Sequence, residues 1–232
     1  MRVRQFRYSA DNLAYLVYTE REAVSVDGGA VREICDFLAS RGLRLAWVTH
    51  THGHPDHTAG TSELLSATGA RLLTHRELIE AGEIRLEDGR IAVLPTPGHT
   101  EDSVTFHLDG ALITGDTLFN GTVGNCFTGN LRAFYESIKR LMAFPPDTRI
   151  YAGHDYVDYA MKFARLVEPQ NPHIDDYLSA YDAHHVTSTL ADERKVNPYL
   201  RFNDPAMIEV LRNRGLAADT EYQRWEALMF LE

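Results

Sequence analysis

Four histidines and one aspartate crowd into the eight residues from His50 to His57, inside the stretch Thr49-His50-Thr51-His52-Gly53-His54-Pro55-Asp56-His57-Thr58-Ala59-Gly60. Neutral imidazole and carboxylate suit zinc and neighbouring first-row metals, and a site that keeps an open position can hold an activated water. The stretch therefore reads as the main ligand loop of a two-metal hydrolase. His52 and His54 are two residues apart, so in an extended segment their side chains point the same way and can grip one ion. Asp56 and His57 follow Pro55, which prevents regular strand pairing and lets them turn towards a second ion. His50 falls outside this pattern and reads as the polar end of a strand. The bland alternative is a solvated connection that happens to be histidine-rich.

The loop also constrains the fold. It follows the apolar run Leu45-Ala46-Trp47-Val48, which places it at the carboxyl end of a buried strand, where layered α/β folds commonly carry their ligand-bearing loops. The 232 residues suffice for one large domain or for a domain with a smaller appendage. A formal charge of −10 argues against nucleic acid as the main partner and leaves small molecules as the better substrates. Cys35 and Cys126 are too few and too far apart for a disulfide framework or a cysteine zinc cluster, which fits a reducing cytoplasm. The basic start, Met1 to Tyr8, lacks the apolar stretch and cleavage site of a signal peptide, and no apolar run approaches the roughly 18 residues of a membrane span.

Along the chain, ligand-capable groups recur just past apolar strands. Strands are expected over Leu13–Tyr18 and Ala23–Val26, with Asp27 ending the second and available to brace a ligand histidine or simply to form a turn. A helix over Ala30–Ser40 stops at Gly42, and another over Thr61–Thr68 stops at Gly69. Arg71–Thr74 reads as a strand followed by a surface histidine, His75. A hairpin of Ile84–Leu86 and Ile91–Leu94 delivers Pro97-Gly98-His99-Thr100. A second hairpin, Val104–Leu108 and Ala111–Thr114, ends at Gly115-Asp116-Thr117, with His107 structural in mid-strand. A carboxylate has two oxygens and can bridge two metals, which suggests that role for Asp116. A helix over Leu131–Met142 and a strand over Arg149–Tyr151 lead to Gly153-His154-Asp155-Tyr156. Near the end, Asp204-Pro205 is a helix start with Gly215 as its stop, and Thr220 to Gln223 fits a capping box for a last helix ending near Leu231. The aromatics Tyr177, Tyr181, Tyr199, Phe202, Tyr222 and Trp225 either line a cleft or pack these helices onto the main body.

The H-x-H-x-D-H run at His52 to His57, P-G-H-T at Pro97 to Thr100, T-G-D-T-L-F at Thr114 to Phe119 and G-H-D-Y at Gly153 to Tyr156 resemble the metallo-β-lactamase superfamily. Within it the chain looks most like the hydroxyacylglutathione hydrolase, or glyoxalase II, family, and the likeness extends to Ser188–Glu193 and Asn197–Arg201. The resemblance implies an α/β fold, the αββα four-layer sandwich of the superfamily, over residues 1–165, with a small helical subdomain over 166–232. It implies two divalent metal ions, zinc first and iron or manganese next. His52, His54 and His99 would hold one ion, Asp56, His57 and His154 the other, and Asp116 would bridge them. Two cations lower the pKa of a shared water, whose hydroxide attacks a thioester carbonyl, and Asp56 would help orient it. The family reaction is hydrolysis of S-D-lactoylglutathione to D-lactate and glutathione.

One loop departs from the family pattern. Where relatives read much like C-G-K-F-Y-E-G, with lysine and tyrosine on the glutathione, Asn125 and Phe127 stand in this chain, while Tyr156 matches the tyrosine after the metal histidine. Each charge-assisted bond lost to an anionic substrate costs about 1.5–3 kcal/mol, so another acyl-thiol is an alternative substrate. A persulfide dioxygenase-like enzyme with one iron, a lactone hydrolase of the same superfamily and a silent metal-binding module are the other readings. A β-lactamase is disfavoured because Asp116 stands where those enzymes commonly use cysteine.

Overall fold

The computed structural model describes residues 1–231. Two sheets face each other. The first has the order β1-β2-β3-β4-β5, from β1 (Arg2–Tyr8), β2 (Asn12–Tyr18), β3 (Glu22–Val26), β4 (Arg44–Thr49) and β5 (Arg71–Leu72). The second runs β11-β10-β9-β8-β7-β6, from β6 (Glu83–Leu86), β7 (Gly89–Pro95), β8 (Val104–Leu108), β9 (Ala111–Gly115), β10 (Arg149–Ala152) and β11 (Ser188–Thr189).

Strand periodicity builds the layers. Along β2, Leu13, Tyr15 and Val17 point into the space between the sheets, where they meet Ile91, Val93, Phe106 and Ile113. The alternate residues Ala14, Leu16 and Tyr18 point outwards onto α1 (Val31–Arg41) and α3 (Thr61–Thr68), through Ile34, Leu38 and Leu64. On the far side, Leu112 and Ile150 turn outwards onto α5 (Leu131–Met142). The result is helix, sheet, sheet, helix, with each sheet buried on both faces.

After β10 the chain continues through α6 (Val157–Val167), α7 (His173–Ala180), α8 (Leu190–Val196), a 3-10 turn at Pro198–Leu200, α9 (Pro205–Asn213) and α10 (Glu221–Met229). The expected caps are present: Asp204 Oδ1 accepts from Ala206 N, and Thr220 and Gln223 form the capping box. Trp225 of α10 is fully buried, with its ring edge-on to Phe134 and tilted against Tyr135 of α5. Tyr199 and Phe202 are buried as well, so this part of the aromatic set is packing rather than cleft wall. β11 pairs antiparallel with β10, stitching the C-terminal segment into the second sheet. The buried carboxylate of Glu193 ties α8 inwards: it accepts from Tyr177 Oη, Ser188 Oγ, Asn197 Nδ2 and Gly121 N, at 2.6 to 3.0 Å.

Three elements differ from expectation. β1 was not anticipated, because Arg2, Arg4 and Arg7 interrupt its apolar pattern; it is an edge strand whose outward arginines discourage further pairing. The strand expected over Arg71–Thr74 stops at Leu72, since Thr74 and Glu77 form a capping box that starts α4 (His75–Ala81). No helix was expected over Val157–Val167, although Val157, Ala160, Met161 and Ala164 recur at helical spacing and are buried. His75 is exposed, and His107 lies in β8 with its ring against Phe144. Among the described residues no helix is long and apolar enough to cross a membrane.

Trp225→Ala removes a fully buried indole and should cost about 3–5 kcal/mol in urea denaturation. Trp225→Phe should cost clearly less, because the indole N–H has no acceptor to lose.

Candidate metal centre

Topology brings the ligand-capable residues together. β3, β4 and β5 run parallel, as do β9 and β10, so their carboxyl ends share one rim of the sandwich. Past β3 comes Asp27, past β4 the histidine loop, past β7 His99, past β9 Asp116 and past β10 His154. The loop itself turns at His54, which precedes Pro55 at the first position of α2 (Pro55–Thr58), leaving Asp56 and His57 within that short helix.

The side chains form two groups able to hold a metal ion: His52, His54, His99 and Asp116 in one, and Asp56, His57 and His154 in the other. In the first, His54 Nδ1 lies 2.9 Å from His52 Nε2 and 3.1 Å from His99 Nε2. In the second, His57 Nε2 lies 3.2 Å from His154 Nε2, and Asp56 Oδ2 lies 3.6 and 3.3 Å from those two nitrogens. Asp116 reaches both groups. Its Oδ2 is 3.9 Å from His52 Nε2 and 3.5 Å from His99 Nε2 and from His154 Nε2, while Oδ1 is 3.3 Å from His57 Nε2.

The inward nitrogens of His52, His57, His99 and His154 are each aimed by a partner on the other side of the ring. His57 Nδ1 donates to Asp27 Oδ2 at 3.0 Å, and His154 Nδ1 to Asp11 Oδ1 at 3.0 Å. His99 Nδ1 donates to the Asn125 carbonyl at 2.9 Å. His52 Nδ1 donates to Thr51 Oγ1 at 3.1 Å, whose own hydrogen goes to Asp27 Oδ2 at 2.7 Å. With the outer nitrogens protonated, several lone pairs converge on the same space, and protons alone cannot serve them all. The buried Asp116 Oδ1 has no hydrogen-bond partner, so the donor set fits a divalent cation.

Electrostatics tell the same story. Burial acts to lower His57, yet Asp27 and Asp116 outweigh it and lift its pKa to about 11. Burial likewise opposes the charge on His154, but Asp116 and Asp11 raise it. His52, which lacks a direct carboxylate partner behind it, is pulled by burial to about 4. Asp116 stays far below the carboxylate range because the nearby His154 and His57 imidazoles overcome its burial. The carboxylates thus call for positive charge at the middle of the site, which divalent cations supply.

Asp27 is wholly buried and sits in the left-handed region at φ 52, holding His57 and Thr51 as a brace, one of the two roles open to it from sequence. His50 bonds to Thr61 Oγ1 at 2.6 Å, outside both groups. Phe127 is 66% exposed with its ring edge-on to His54 and His99, while Tyr156 stacks on His154 with the rings 5.0 Å apart. One ring thus borders the first group and the other the second. The Asn125 side chain is exposed, and the residue meets the centre through its carbonyl. Asp11 and Asn12 were not singled out from sequence; Asp11 lies in the β1–β2 turn and Asn12 opens β2, a hairpin end that becomes visible only once β1 is known.

A sandwich of two sheets between helices, with His and Asp side chains gathered on one rim, defines the metallo-β-lactamase superfamily, and the model of that superfamily matches residues 11–88 and 77–154. The model described as hydroxyacylglutathione hydrolase C-terminus matches residues 155–229. The hydroxyacylglutathione hydrolase of Chromohalobacter salexigens is 32% identical, with 90% of each chain covered. That of Pseudomonas fluorescens is 37% identical over 85% of this chain and 84% of the relative. The chain belongs to the hydroxyacylglutathione hydrolase family, a family of metal-dependent hydrolases. Among solved structures, ETHE1 from Myxococcus xanthus shares the fold, with a TM-score of 0.70 at 24% identity over 100% of this chain and 91% of that one.

Gly153 leaves the side chains of the centre no room to spare, since a Cβ there would lie 2.1 Å from Asp116 Oδ1 and 2.8 Å from His57 Cε1. Gly153→Ala should therefore displace Asp116 and lower bound metal per chain by elemental analysis, while far-ultraviolet circular dichroism stays that of the parent.

Proposed function

We propose that the protein is a dinuclear hydrolase of an acyl-thiol, with S-D-lactoylglutathione as the first candidate. The observation that carries this reading is the position of Asp116, whose two oxygens face histidine nitrogens of both groups. His52, His54 and His99 would hold one ion, and Asp56, His57 and His154 the other, with Asp116 shared. Zinc is the first choice, and iron and manganese are accepted by the same donors. When bound, such a pair of cations polarises the thioester carbonyl and lowers the pKa of a water between them.

The protein's own groups orient the reaction. Asp56 presents its carboxylate at the rim, with Oδ2 fixed by Asn12 Nδ2 at 2.9 Å, so its position is set before substrate arrives. Burial pushes the Tyr156 phenol up to about 12, so it stays neutral and able to donate to a substrate oxygen. Phe127 offers an apolar face beside His54 and His99 for the thiol portion, and Asn125 offers an exposed amide next to it. A thiolate leaves readily, so no dedicated acid is required.

We further assign residues 1–165 to the metal-binding unit and 166–232 to the helical substrate-side unit. The two family models meet at residues 154 and 155, just before α6, which supports a division in this region. Cys35 and Cys126 are unpaired, which supports a reducing compartment, the cytoplasm.

Metal content and S-D-lactoylglutathione hydrolysis measured on one purified sample test the reading. About two ions per chain and metal-dependent turnover are expected, with Asp116→Ala losing at least one ion and about a hundredfold or more in turnover. Two ions without turnover would move the search to other thioesters or lactones. A single iron with oxygen uptake on glutathione persulfide would replace this reading with the oxidative one.

A further inference from the structure

The turn between β1 and β2 reaches into one half of the centre and leaves the other untouched. Asn12 Nδ2 donates to Asp56 Oδ2 at 2.9 Å, and Asp11 Oδ1 accepts from His154 Nδ1 at 3.0 Å. Tyr8 Oη donates to the Asp56 carbonyl at 2.9 Å. The backbone fastens the same place: Asp155 N donates to Asp11 O, Leu13 N to Gly153 O, and Asn12 forms an isolated antiparallel bridge with His154. Arg7 completes the attachment through an ion pair with Asp155.

None of these bonds involves His52, His54 or His99. The outer nitrogens of His52 and His99 rest on a hydroxyl, Thr51 Oγ1, and on a carbonyl, Asn125 O. Behind the second group stand two carboxylates, Asp27 on His57 and Asp11 on His154, and one amide, Asn12 on Asp56. An acceptor behind a ligand imidazole fixes its tautomer and raises its basicity, and a charged carboxylate does so more strongly than a neutral oxygen. Asp27 serves both halves, His57 directly and His52 through Thr51, but only the second half also rests on Asp11 and Asn12.

We propose that Asp11 and Asn12 are positioning residues for the half formed by Asp56, His57 and His154 alone. The β1–β2 turn then sets the affinity of that half for its ion without altering the half formed by His52, His54 and His99. This inference rests on the dinuclear reading. Asp11 would act through the basicity and direction of the His154 ring. Asn12 would act by holding Asp56 Oδ2, the oxygen that faces His57 and His154, in a fixed direction.

The test is a titration of the full-length, metal-stripped protein with zinc against a chromophoric chelator, which reports each binding step without reference to catalysis. The parent should show two steps. Asp11→Asn and Asn12→Ala should each keep one step at parent affinity and weaken the other by about 10–100-fold. Arg2→Ala, at the far end of the same hairpin and in a surface ion pair with Glu20, should leave both steps unchanged. Thermal melting of the stripped variants close to that of the stripped parent would show that the loss is not general unfolding. Both steps weakening together, or neither weakening, would overturn the inference while the dinuclear reading stands. A single step in the parent would overturn the dinuclear reading itself, and this inference with it.

Discussion

Asp116 places a carboxylate, buried and with one oxygen unpartnered, where two sets of imidazole nitrogens converge. A buried charge of this kind is costly unless it is paired, and here its partners come from three other strand ends, those of β4, β7 and β10. The parallel pairing of β3 with β4 and of β9 with β10 brings those ends to one rim, and the inter-sheet core of Tyr15, Phe106 and Ile113 keeps the two rims level. Glycines then clear the room. Gly153 lets Asp116 and His57 approach, and Gly124 would put a Cβ 1.9 Å from the Asp116 carbonyl oxygen and 3.0 Å from His99 Nδ1. The sandwich supplies direction, and the absent side chains supply space.

The polar wiring around the centre is built without waste. Asp27 alone serves His57, the Thr51 amide and the Thr51 hydroxyl, and through that hydroxyl it also fixes His52. Its left-handed backbone, uncommon for a residue other than glycine, aims the carboxylate into this network, where burial makes every bond count. With carboxylates on several sides, the pocket favours positive charge whichever species carries it. Protonated imidazoles and metal cations therefore compete for the same place, which couples metal affinity to pH.

Much of this was legible in the sequence because the chemistry sits on side chains that follow apolar runs. The strand before His50, the hairpins before His99 and Asp116 and the strand before His154 all read from residue type and period, and α5 spans Leu131–Met142 as the spacing indicates. What was not legible falls into two kinds. β1 and α4 were obscured where local chemistry overrode the pattern, by arginines along an edge and by a Thr74–Glu77 cap at the end of an apolar run. The support from Asp11, Asn12 and the Asn125 carbonyl was invisible for another reason. Each acts across long sequence separations, and a carbonyl looks the same whichever residue carries it.

The Glu193 junction bears on how the protein is made. Gly121 N and the Thr122 carbonyl are bonded to Glu193 and Asn197, more than seventy residues further on. The same loop continues to Asn125, whose carbonyl directs His99. While the ribosome still holds α8, this loop lacks its anchors, although every candidate ligand has already been synthesised. Such long-range closures come late because loop entropy is lost before the contacts repay it. On the ribosome, therefore, the His99 side of the centre is completed last, by a segment that contributes none of the candidate ligands.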